Sequence, residues 1–382
     1  MASQNWDDHD RSNRYAARDF GANYLKSCDK EAIIFCNGDN DTFPLWYNIE
    51  VEEERNDVRA CNLSYLQTDW YIDQMKRPYY NSPGLPISWE EKDYMPGKNE
   101  VVWVENRLNA PLEVKKAFQF LHSTDPRTKR DGEGYIPSDQ LYVLSPDSQK
   151  INIKKARRFT RSEMMVMEML STNEWQRPMY FAVTIGNDYH LGLDPYLELT
   201  GLAYRITPER SANGRPRVNT EVMYDNMLHK FKYGNMNVPG IYIDENTMRM
   251  CRTHRMMFME LAEALYNEGK RDKCLEVLDF AEKMLPGYNI PYDYTSATMA
   301  VYYYQLGEMD KANAIMTEVA DNCAEYLAWG ESLAKEQRAS SQSTLQHQLA
   351  VLGYVLQNME RYQQKELFNH YYDIYIQYAA MR

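Results

Sequence analysis

The sequence predicts an α/β amino-terminal domain with a mainly parallel sheet, followed by an all-α region built from repeated helix pairs. Two observations predict this class. A strand–helix–strand unit and further strand-like segments occupy the first 240 residues, and apolar residues follow helical spacing from there to the end. We therefore expect one domain over residues 1–240 and a second over residues 241–382.

The strand–helix–strand unit lies near the start of the chain. The apolar run of residues 32–36 leads into Asn-Gly-Asp-Asn-Asp at residues 37–41, which is typical of a buried strand entering a tight loop. A helix follows, with Thr42 as its expected cap, and residues 58–63 form the next strand. Such a unit implies a parallel pair of strands with a right-handed crossover.

The remaining elements of the first domain follow from the same patterns. An amphipathic helix is expected over residues 10–26, and the proline-rich stretch 77–97 is expected to be irregular. Further strands are predicted over residues 101–104, 141–144, 179–185 and 202–206, with helices over residues 112–122 and 161–169.

An internal repeat marks the second domain. Residues 269–273 (GKRDK) match residues 307–311 (GEMDK) at a separation of 38 residues, each time between two amphipathic stripes, and a weaker third copy starts at residue 359. This arrangement resembles tetratricopeptide helix pairs, although the period is longer than the usual 34 residues or so. We therefore expect a tetratricopeptide-like α-helical repeat region.

Composition limits the classes of function. Forty-three basic residues against 55 acidic ones give a formal charge of −12, which disfavours nucleic acid as a partner. Apolar runs fall far short of the roughly 18 residues of a spanning helix, and no secretory signal is visible at the start. The sequence lacks the GxSxG, GxGxxG, GxxxxGK[ST] and HExxH motifs of common enzyme classes, and its six cysteines form no CxxC pair.

The acidic residues after the first strand are candidates for binding a ligand. Asp39, Asn40 and Asp41 are expected at the carboxyl edge of the sheet, where α/β proteins bind ligands. Asp39 and Asp41 also have the spacing of the pair that holds Mn²⁺ or Mg²⁺ in nucleotide-sugar glycosyltransferases. The alternative is a turn that caps the following helix. Residues 7–10 (DDHD), with one imidazole among three carboxylates, are interpreted as a solvated cap rather than a cation site.

Aromatic and basic residues supply the other candidates. Trp46, Trp70 and Tyr71 are able to stack on a sugar or line a peptide groove, with packing in the core as the alternative. Basic residues between positions 150 and 161 are able to face anionic headgroups or a lipid-linked phosphate, or to form the solvated start of a helix. The membrane-facing candidates are Lys154, Lys155, Arg157 and Arg158.

Several blocks of the sequence carry a family resemblance. They are residues 4–12, the GDNDTFPLWY block of residues 38–47, and residues 62–64 with 68–72. Through them most of residues 1–240 resembles the C-terminal soluble region of a bacterial family of multi-spanning membrane proteins grouped with protein O-mannosyltransferases. The resemblance implies the extracytoplasmic part of a lipid-dependent glycosyltransferase. The resemblance also implies that the catalytic residues belong to a membrane part that this chain is expected to lack, so no catalytic residue is assigned.

The expected role is therefore binding rather than chemistry. The resemblance implies a periplasmic location, an exported acceptor polypeptide as partner, contact with the protein's own N-terminal membrane domain, and no cofactor for this chain. Two alternatives remain at this point: a metal-dependent nucleotide-sugar transferase that uses Asp39 and Asp41 with Mn²⁺ or Mg²⁺, and a non-enzymatic interaction scaffold. Cys36 and Cys61 fall on neighbouring predicted strands, where either a disulfide or two free thiols would fit.

Overall fold

The computed structural model of the chain describes residues 12–379, so residues 7–10 (DDHD) lie outside the described part. Ala17–Lys232 forms one compact unit, and the described residues before Ala17 and after Lys232 form another. The first unit has an α/β architecture and the second is helical, which confirms the predicted fold class. No helix within residues 12–379 combines the length and the apolar character that crossing a membrane requires.

The α/β unit contains short strands and helices in alternation. Its helices are α1 (Ala16–Lys26), α2 (Asp39–Glu50), α3 (Asp69–Lys76), α4 (Glu91–Tyr94), α5 (Val114–His122), α6 (Arg161–Thr172) and α7 (Thr220–Asp225). Its strands are β1 (Ile33–Cys36), β2 (Arg59–Asn62), β3 (Val101–Trp103), β4 (Leu112–Glu113), β5 (Lys129–Arg130), β6 (Glu133–Gly134), β7 (Leu141–Leu144), β8 (Lys150–Asn152), β9 (Arg158–Thr160), β10 (Met179–Ala182), β11 (Leu197–Leu199), β12 (Ala203–Ile206) and β13 (Arg217–Val218).

Six of these strands form the main sheet, in the order β13-β11-β12-β10-β1-β2. β1 lies parallel to both β2 and β10, whereas β12 is antiparallel to β10 and β11. The strands β1, β2 and β10 are buried along their whole length, as expected for parallel strands covered on both faces. The predicted strand–helix–strand unit is thus confirmed as β1-α2-β2.

Two predicted strands belong to other sheets. β3 pairs with β9 in a two-stranded sheet, and β7 pairs with β4 and β8. Their outward residues are exposed or half-exposed, in contrast to the fully buried strands of the main sheet. A local apolar pattern indicates a strand but carries no information about its partner, which is why the sequence suggested one continuous sheet.

The start of α2 also differs from the prediction. The helix begins at Asp39, directly after Gly38, so Asp39, Asn40 and Asp41 form its first turn instead of a loop. Gly38 has a φ of 81°, which a residue with a side chain rarely adopts, and this lets the chain turn into the helix early. Thr42 is therefore not the cap but a buried residue inside the helix.

In the second unit, the described residues 233–379 contain seven helices. They are α8 (Glu245–Asn267), α9 (Arg271–Met284), α10 (Tyr294–Leu306), α11 (Met309–Ser332), α12 (Lys335–Ser340), α13 (Gln342–Arg361) and α14 (Lys365–Ala379). Consecutive helices pack on one another as α8 with α9, α10 with α11 and α13 with α14, and α8 also contacts α10. This is the packing of stacked helical hairpins.

The repeated motifs lie at the turns of these hairpins. Gly269 and Gly307, the first residues of the two motif copies, have φ values of 76° and 89° and connect the paired helices. In the third hairpin Gln363, with a φ of 62°, takes the corresponding position between α13 and α14. The repeat in the sequence therefore corresponds to a repeated structural unit.

The cysteines are buried free thiols in this fold. Cys36 and Cys61 lie on neighbouring strands as predicted, but Cys61 is in register with Phe35, and Cys36 with Asn62. In-register neighbours in a sheet share a face and successive residues alternate, so the two thiols face opposite sides of the sheet. This geometry explains why they are not bridged.

Candidate functional site

The carboxyl ends of β2, β1 and β10 meet at one edge of the main sheet, where α2 begins. The three strands are parallel, so the residues that follow each of them converge at this edge. Ser64 after β2 donates a hydrogen bond to Asn37 after β1 (2.6 Å), and Thr184 after β10 donates one to Asp41 in α2. The sheet edge thus places hydroxyl, amide and carboxylate groups together.

A buried polar network ties α2 to β2 beneath this edge. The side-chain amide of Asn62 donates to Thr42 Oγ1 at 2.8 Å, and Cys36 Sγ lies 3.3 Å from the same oxygen. The backbone amide of Tyr65 donates to Asn62 Oδ1 at 3.0 Å. Since buried polar groups cost free energy unless they are hydrogen-bonded, these pairs fix the register of α2 against the strand.

The two carboxylates predicted to hold a metal differ in their surroundings. Asp39 and Asn40 are exposed, whereas Asp41 is 6% exposed. Burial raises the pKa of the Asp41 carboxyl group above its ordinary value of 3.8, although hydrogen bonds from Thr184 and from the backbone of Asn37 act in the opposite direction. Among residues 12–379, no group of three or more His, Cys, Asp or Glu is placed to hold a metal ion. The metal assignment of Asp39 and Asp41 stays a prediction.

Replacing Asp41 with asparagine is expected to change how stability depends on pH. Because the pKa of Asp41 is raised in the fold, the native state binds this proton more tightly than the unfolded state does. The wild type therefore loses stability as pH rises from the unfolded pKa through the raised folded pKa, and Asp41→Asn lacks that loss. Urea unfolding followed by tryptophan fluorescence at several pH values measures the difference.

The control for this prediction is Asp39→Asn, on the exposed side of the same helical turn. It removes the same charge without removing a buried carboxylate. A stability difference between Asp41→Asn and wild type that stays constant over the whole pH range would contradict the prediction.

An aromatic cavity of about 360 Å³ lies beside β2, the edge strand of the main sheet, between α2 and α3. It brings together three of the predicted ligand-binding residues: Trp46, Trp70 and Tyr71. The full lining is Trp46, Ile49, Glu50, Val58, Arg59, Ala60, Trp70, Tyr71, Gln74, Met75 and Tyr79. We call this space the β2 cavity.

The aromatic rings of the β2 cavity form a connected cluster. Tyr65 stacks on Trp46 with ring centroids 6.0 Å apart and an angle of 17° between the planes. Tyr65 also contacts Trp70 at 5.9 Å and Tyr71 at 5.6 Å, and Trp70 meets Tyr71 edge to face at 5.4 Å. Tyr71 is buried, whereas Trp70 is 54% exposed. The cluster therefore has a buried ring, Tyr71, that is packed against its neighbours, and a ring, Trp70, that is open to solvent.

Two charged residues line the β2 cavity on opposite elements. Arg59 on β2 is 4% exposed; its Nη2 donates to the carbonyls of Gln74 and Arg77, at 2.8 and 3.2 Å. Glu50 at the end of α2 accepts hydrogen bonds from the hydroxyls of Tyr79 (2.7 Å) and Tyr80 (3.0 Å). The cavity thus combines aromatic faces with one guanidinium and one carboxylate.

The predicted membrane-facing residues lie between β8 and the first residue of β9. Lys154 forms an ion pair with Glu163 (3.1 Å), and Lys155 with Asp139 (3.3 Å). Arg157 and Arg158 are exposed, and Arg158 lies 5.9 Å from the ring centre of Trp103. The four side chains thus differ in how far their charge is already compensated, and the membrane-facing role stays a prediction.

The helical unit carries a groove of its own, of about 310 Å³, lined by residues of α11 to α14. Lys335 and Arg338 contribute positive charge to a lining that is otherwise largely apolar, including Leu327, Leu345 and Leu349. Tyr326 and Trp329, on the same helix as Leu327, are exposed, and their rings meet edge to face at 6.3 Å. We refer to this surface as the α11–α14 groove.

Sequence reasoning found the aromatic members of the β2 cavity and missed its charged ones. Arg59 is the only charged residue in an otherwise apolar or small strand segment, residues 58–63, and such a residue is a signal for a specific buried interaction. Glu50 and Tyr79 carried no comparable signal, because they reach the cavity from the end of a helix and from an irregular stretch.

Comparison with known proteins gave a match to a protein family. The family described as TMEM260-associated domain 2 matches residues 17–156 and 144–225. Together the matched stretches span residues 17–225, which is more than half of the chain and includes the sheet edge and the β2 cavity. No curated protein and no solved structure matched the chain.

Proposed function

The chain belongs to the TMEM260-associated domain 2 family, and from this premise we propose that it is the extramembrane domain of a lipid-dependent glycosyltransferase of the protein O-mannosyltransferase type. In this proposal the domain holds the acceptor polypeptide on the extracytoplasmic, periplasmic side. A separate membrane part of the full-length protein transfers the sugar. The family match is the observation that carries the proposal, and this chain needs no cofactor for the role.

The helical unit supports a role in binding polypeptide. Stacked helical hairpins present extended surfaces that suit unfolded segments. The α11–α14 groove offers apolar side chains next to Lys335 and Arg338, and exposed aromatic residues such as Tyr326 and Trp329 are typical anchors at interfaces. We propose that the acceptor polypeptide lies along this groove and over the adjacent exposed face of α11 that carries Tyr326 and Trp329.

The exposed basic residues support a placement close to a membrane surface. Arg157 and Arg158 are exposed in a chain whose overall charge is −12. A basic side chain near an anionic membrane contributes about 1 kcal/mol of attraction. We propose that these two arginines face anionic headgroups or the phosphate of a polyprenyl-linked sugar, with Lys154 and Lys155 beside them.

A serine- and threonine-rich peptide labelled with fluorescein tests the acceptor role. We expect the 382-residue chain to raise its fluorescence anisotropy, and the double substitution Tyr326→Ala/Trp329→Ala to weaken binding about tenfold, because truncating an aromatic anchor typically costs more than 1 kcal/mol. Trp103→Ala serves as the control, since Trp103 is equally exposed but lies on β3 of the other unit. Absence of binding, or equal affinities of all three proteins, would count against the proposal.

The alternative of a metal-dependent nucleotide-sugar transferase makes a different prediction. It requires Mn²⁺ or Mg²⁺ to bind with an affinity that Asp39→Ala/Asp41→Ala abolishes, and nucleotide-sugar binding that depends on the metal. Isothermal titration of the same protein with Mn²⁺, with and without a nucleotide-sugar, therefore separates the two functions.

A further inference from the structure

The guanidinium of Arg59 in the β2 cavity has an incomplete set of partners. The residue is 4% exposed, and within residues 12–379 its Nη1 atom has no hydrogen-bond partner, although Nη2 donates to two backbone carbonyls. A buried guanidinium nitrogen without an acceptor is costly, and native structures seldom leave one unless a ligand or water completes it. An oxygen-bearing ligand in the cavity would complete it.

The aromatic side chains restrict what such a ligand looks like. Trp70 is half-exposed at the opening, while Trp46 and Tyr71 are held in fixed orientations by their contacts with Tyr65. The electron-rich face of an indole attracts polarised C–H groups and apolar ring faces. A ligand with one apolar face and several oxygens around its rim matches both the rings and Arg59.

The charges argue against an anionic ligand. The carboxylate of Glu50 lines the same cavity as Arg59 and is held there by the hydroxyls of Tyr79 and Tyr80. Arg59 and Glu50 together contribute no net charge, so a phosphate would be attracted by one and repelled by the other. A neutral polyhydroxy ring accepts hydrogen bonds from Arg59 and donates hydrogen bonds to Glu50.

The geometry of the edge strand argues against a peptide that binds by pairing with β2 as an additional strand. The hydroxyl of Tyr71 accepts a hydrogen bond from the backbone amide of Asn62 at 2.9 Å, and α3 holds Arg59 through the carbonyl of Gln74. The edge of β2 is therefore not free to pair with an extended segment along its length. An aromatic side chain of a peptide would fill the cavity but would leave Arg59 Nη1 without an acceptor.

We propose that the β2 cavity is a saccharide-binding site that takes a neutral pyranose ring. Trp70 stacks on the apolar face of the ring, while Arg59 and Glu50 bind its hydroxyl groups. The cavity volume of about 360 Å³ lies within the range of roughly 300–1,000 Å³ that is typical of small-molecule sites, at the end that suits one or two rings. This inference does not depend on the proposed acceptor role, which involves the other unit.

Saturation-transfer NMR and isothermal titration of the full chain test the inference. The probes are the methyl α-pyranosides of mannose, glucose and galactose, with inorganic phosphate and N-acetyl-phenylalanine amide for comparison. We expect at least one glycoside to bind with a Kd of about 1 mM, as is usual for a ligand of this size. Trp70→Ala and Glu50→Gln are each expected to weaken that binding about tenfold.

A matched variant distinguishes loss of binding at the β2 cavity from a general effect of replacing an exposed tryptophan. Trp103 is 58% exposed, like Trp70, but lies outside the β2 cavity, so Trp103→Ala is expected to leave glycoside binding unchanged. Trp70→Ala changes an exposed side chain, so the test does not depend on replacing the buried Arg59. The inference is overturned by three results: no glycoside binds, glycoside binding survives Trp70→Ala, or phosphate or the phenylalanine amide binds in place of the glycosides.

Discussion

Replacing Arg255 with leucine is expected to lower the free energy of unfolding of the helical unit by about 3–5 kcal/mol. Arg255 on α8 is 1% exposed, and its guanidinium donates to the carbonyls of Leu285 (2.9 Å), Ile290 (2.8 Å) and Pro291 (3.1 Å). These carbonyls belong to the end of α9 and the segment that leads to α10. One side chain therefore fixes the connection between the first two hairpins.

The positive charge of Arg255 also compensates the half-buried carboxyl group of Glu282. Burial raises the pKa of Glu282, and the charge of Arg255 acts to lower it. Leucine would remove this compensation together with the three hydrogen bonds, whereas lysine would keep the charge and a single donor group. Arg255→Lys is therefore expected to recover only part of the lost stability.

Arg252 provides the control on the same helix. Its side chain is about half exposed and lies 3.7 Å from Asp293, which is the geometry of a surface ion pair. Such pairs contribute little, so Arg252→Leu is expected to change the free energy of unfolding by about 0.5 kcal/mol or less. Urea unfolding followed by far-UV circular dichroism compares the two variants. Similar losses for both would refute the role given to Arg255.

Replacing Arg161 with methionine is expected to destabilise the α/β unit by about 3 kcal/mol. Arg161 opens α6 and is 2% exposed. Its Nη1 donates to the carbonyl of Gln67 at 2.5 Å, and its Nη2 donates to that of Lys98 at 2.6 Å. The side chain thus joins the segment before α3 to the segment before β3, and methionine would leave both carbonyls without this donor.

The position of Arg161 corrects one inference from the sequence. The basic residues between positions 150 and 161 were grouped as one surface feature, but the last of them points into the fold. Arg157, four residues earlier, is exposed, so Arg157→Met is the natural control and is expected to cost about 0.5 kcal/mol or less. Tryptophan fluorescence during urea unfolding measures both. Equal stability of the two variants would contradict the prediction.

Local sequence patterns were sufficient to predict features that depend on a single element, such as the burial of a strand or the turn between two helices. The fully apolar runs of β1 and β10 are typical of buried parallel strands, and the glycines at positions 269 and 307 are typical of turns between helices. The partners of β3 and β7 were not predictable, because pairing depends on segments far away in the chain. The early start of α2 was missed because Asp, Asn and Gly are common both in loops and in the first turn of a helix.

Sequence also predicted part of the candidate site, namely the residues that residue type alone identifies. Trp46, Trp70 and Tyr71 were identified by residue type alone, and the fold brings them to one cavity. The role of Arg59 in the cavity depends on its hydrogen bonds: Nη2 donates to the carbonyls of Gln74 and Arg77, and Nη1 has no acceptor among the described residues. No sequence pattern contains that information. Residues contributed by irregular stretches, such as Tyr79, become visible only in the fold.

The position of β2 at the edge of the sheet also bears on aggregation. An edge strand with unpaired amides is a template on which other chains add strands, and proteins protect such edges with side chains or helices. Here Tyr71 occupies the amide of Asn62, and α3 lies alongside the strand. Residues that line the β2 cavity therefore also cover the edge strand and hinder edge-to-edge pairing of two copies of this chain. Substitutions that enlarge the cavity are compatible with this protection only while β2 stays covered.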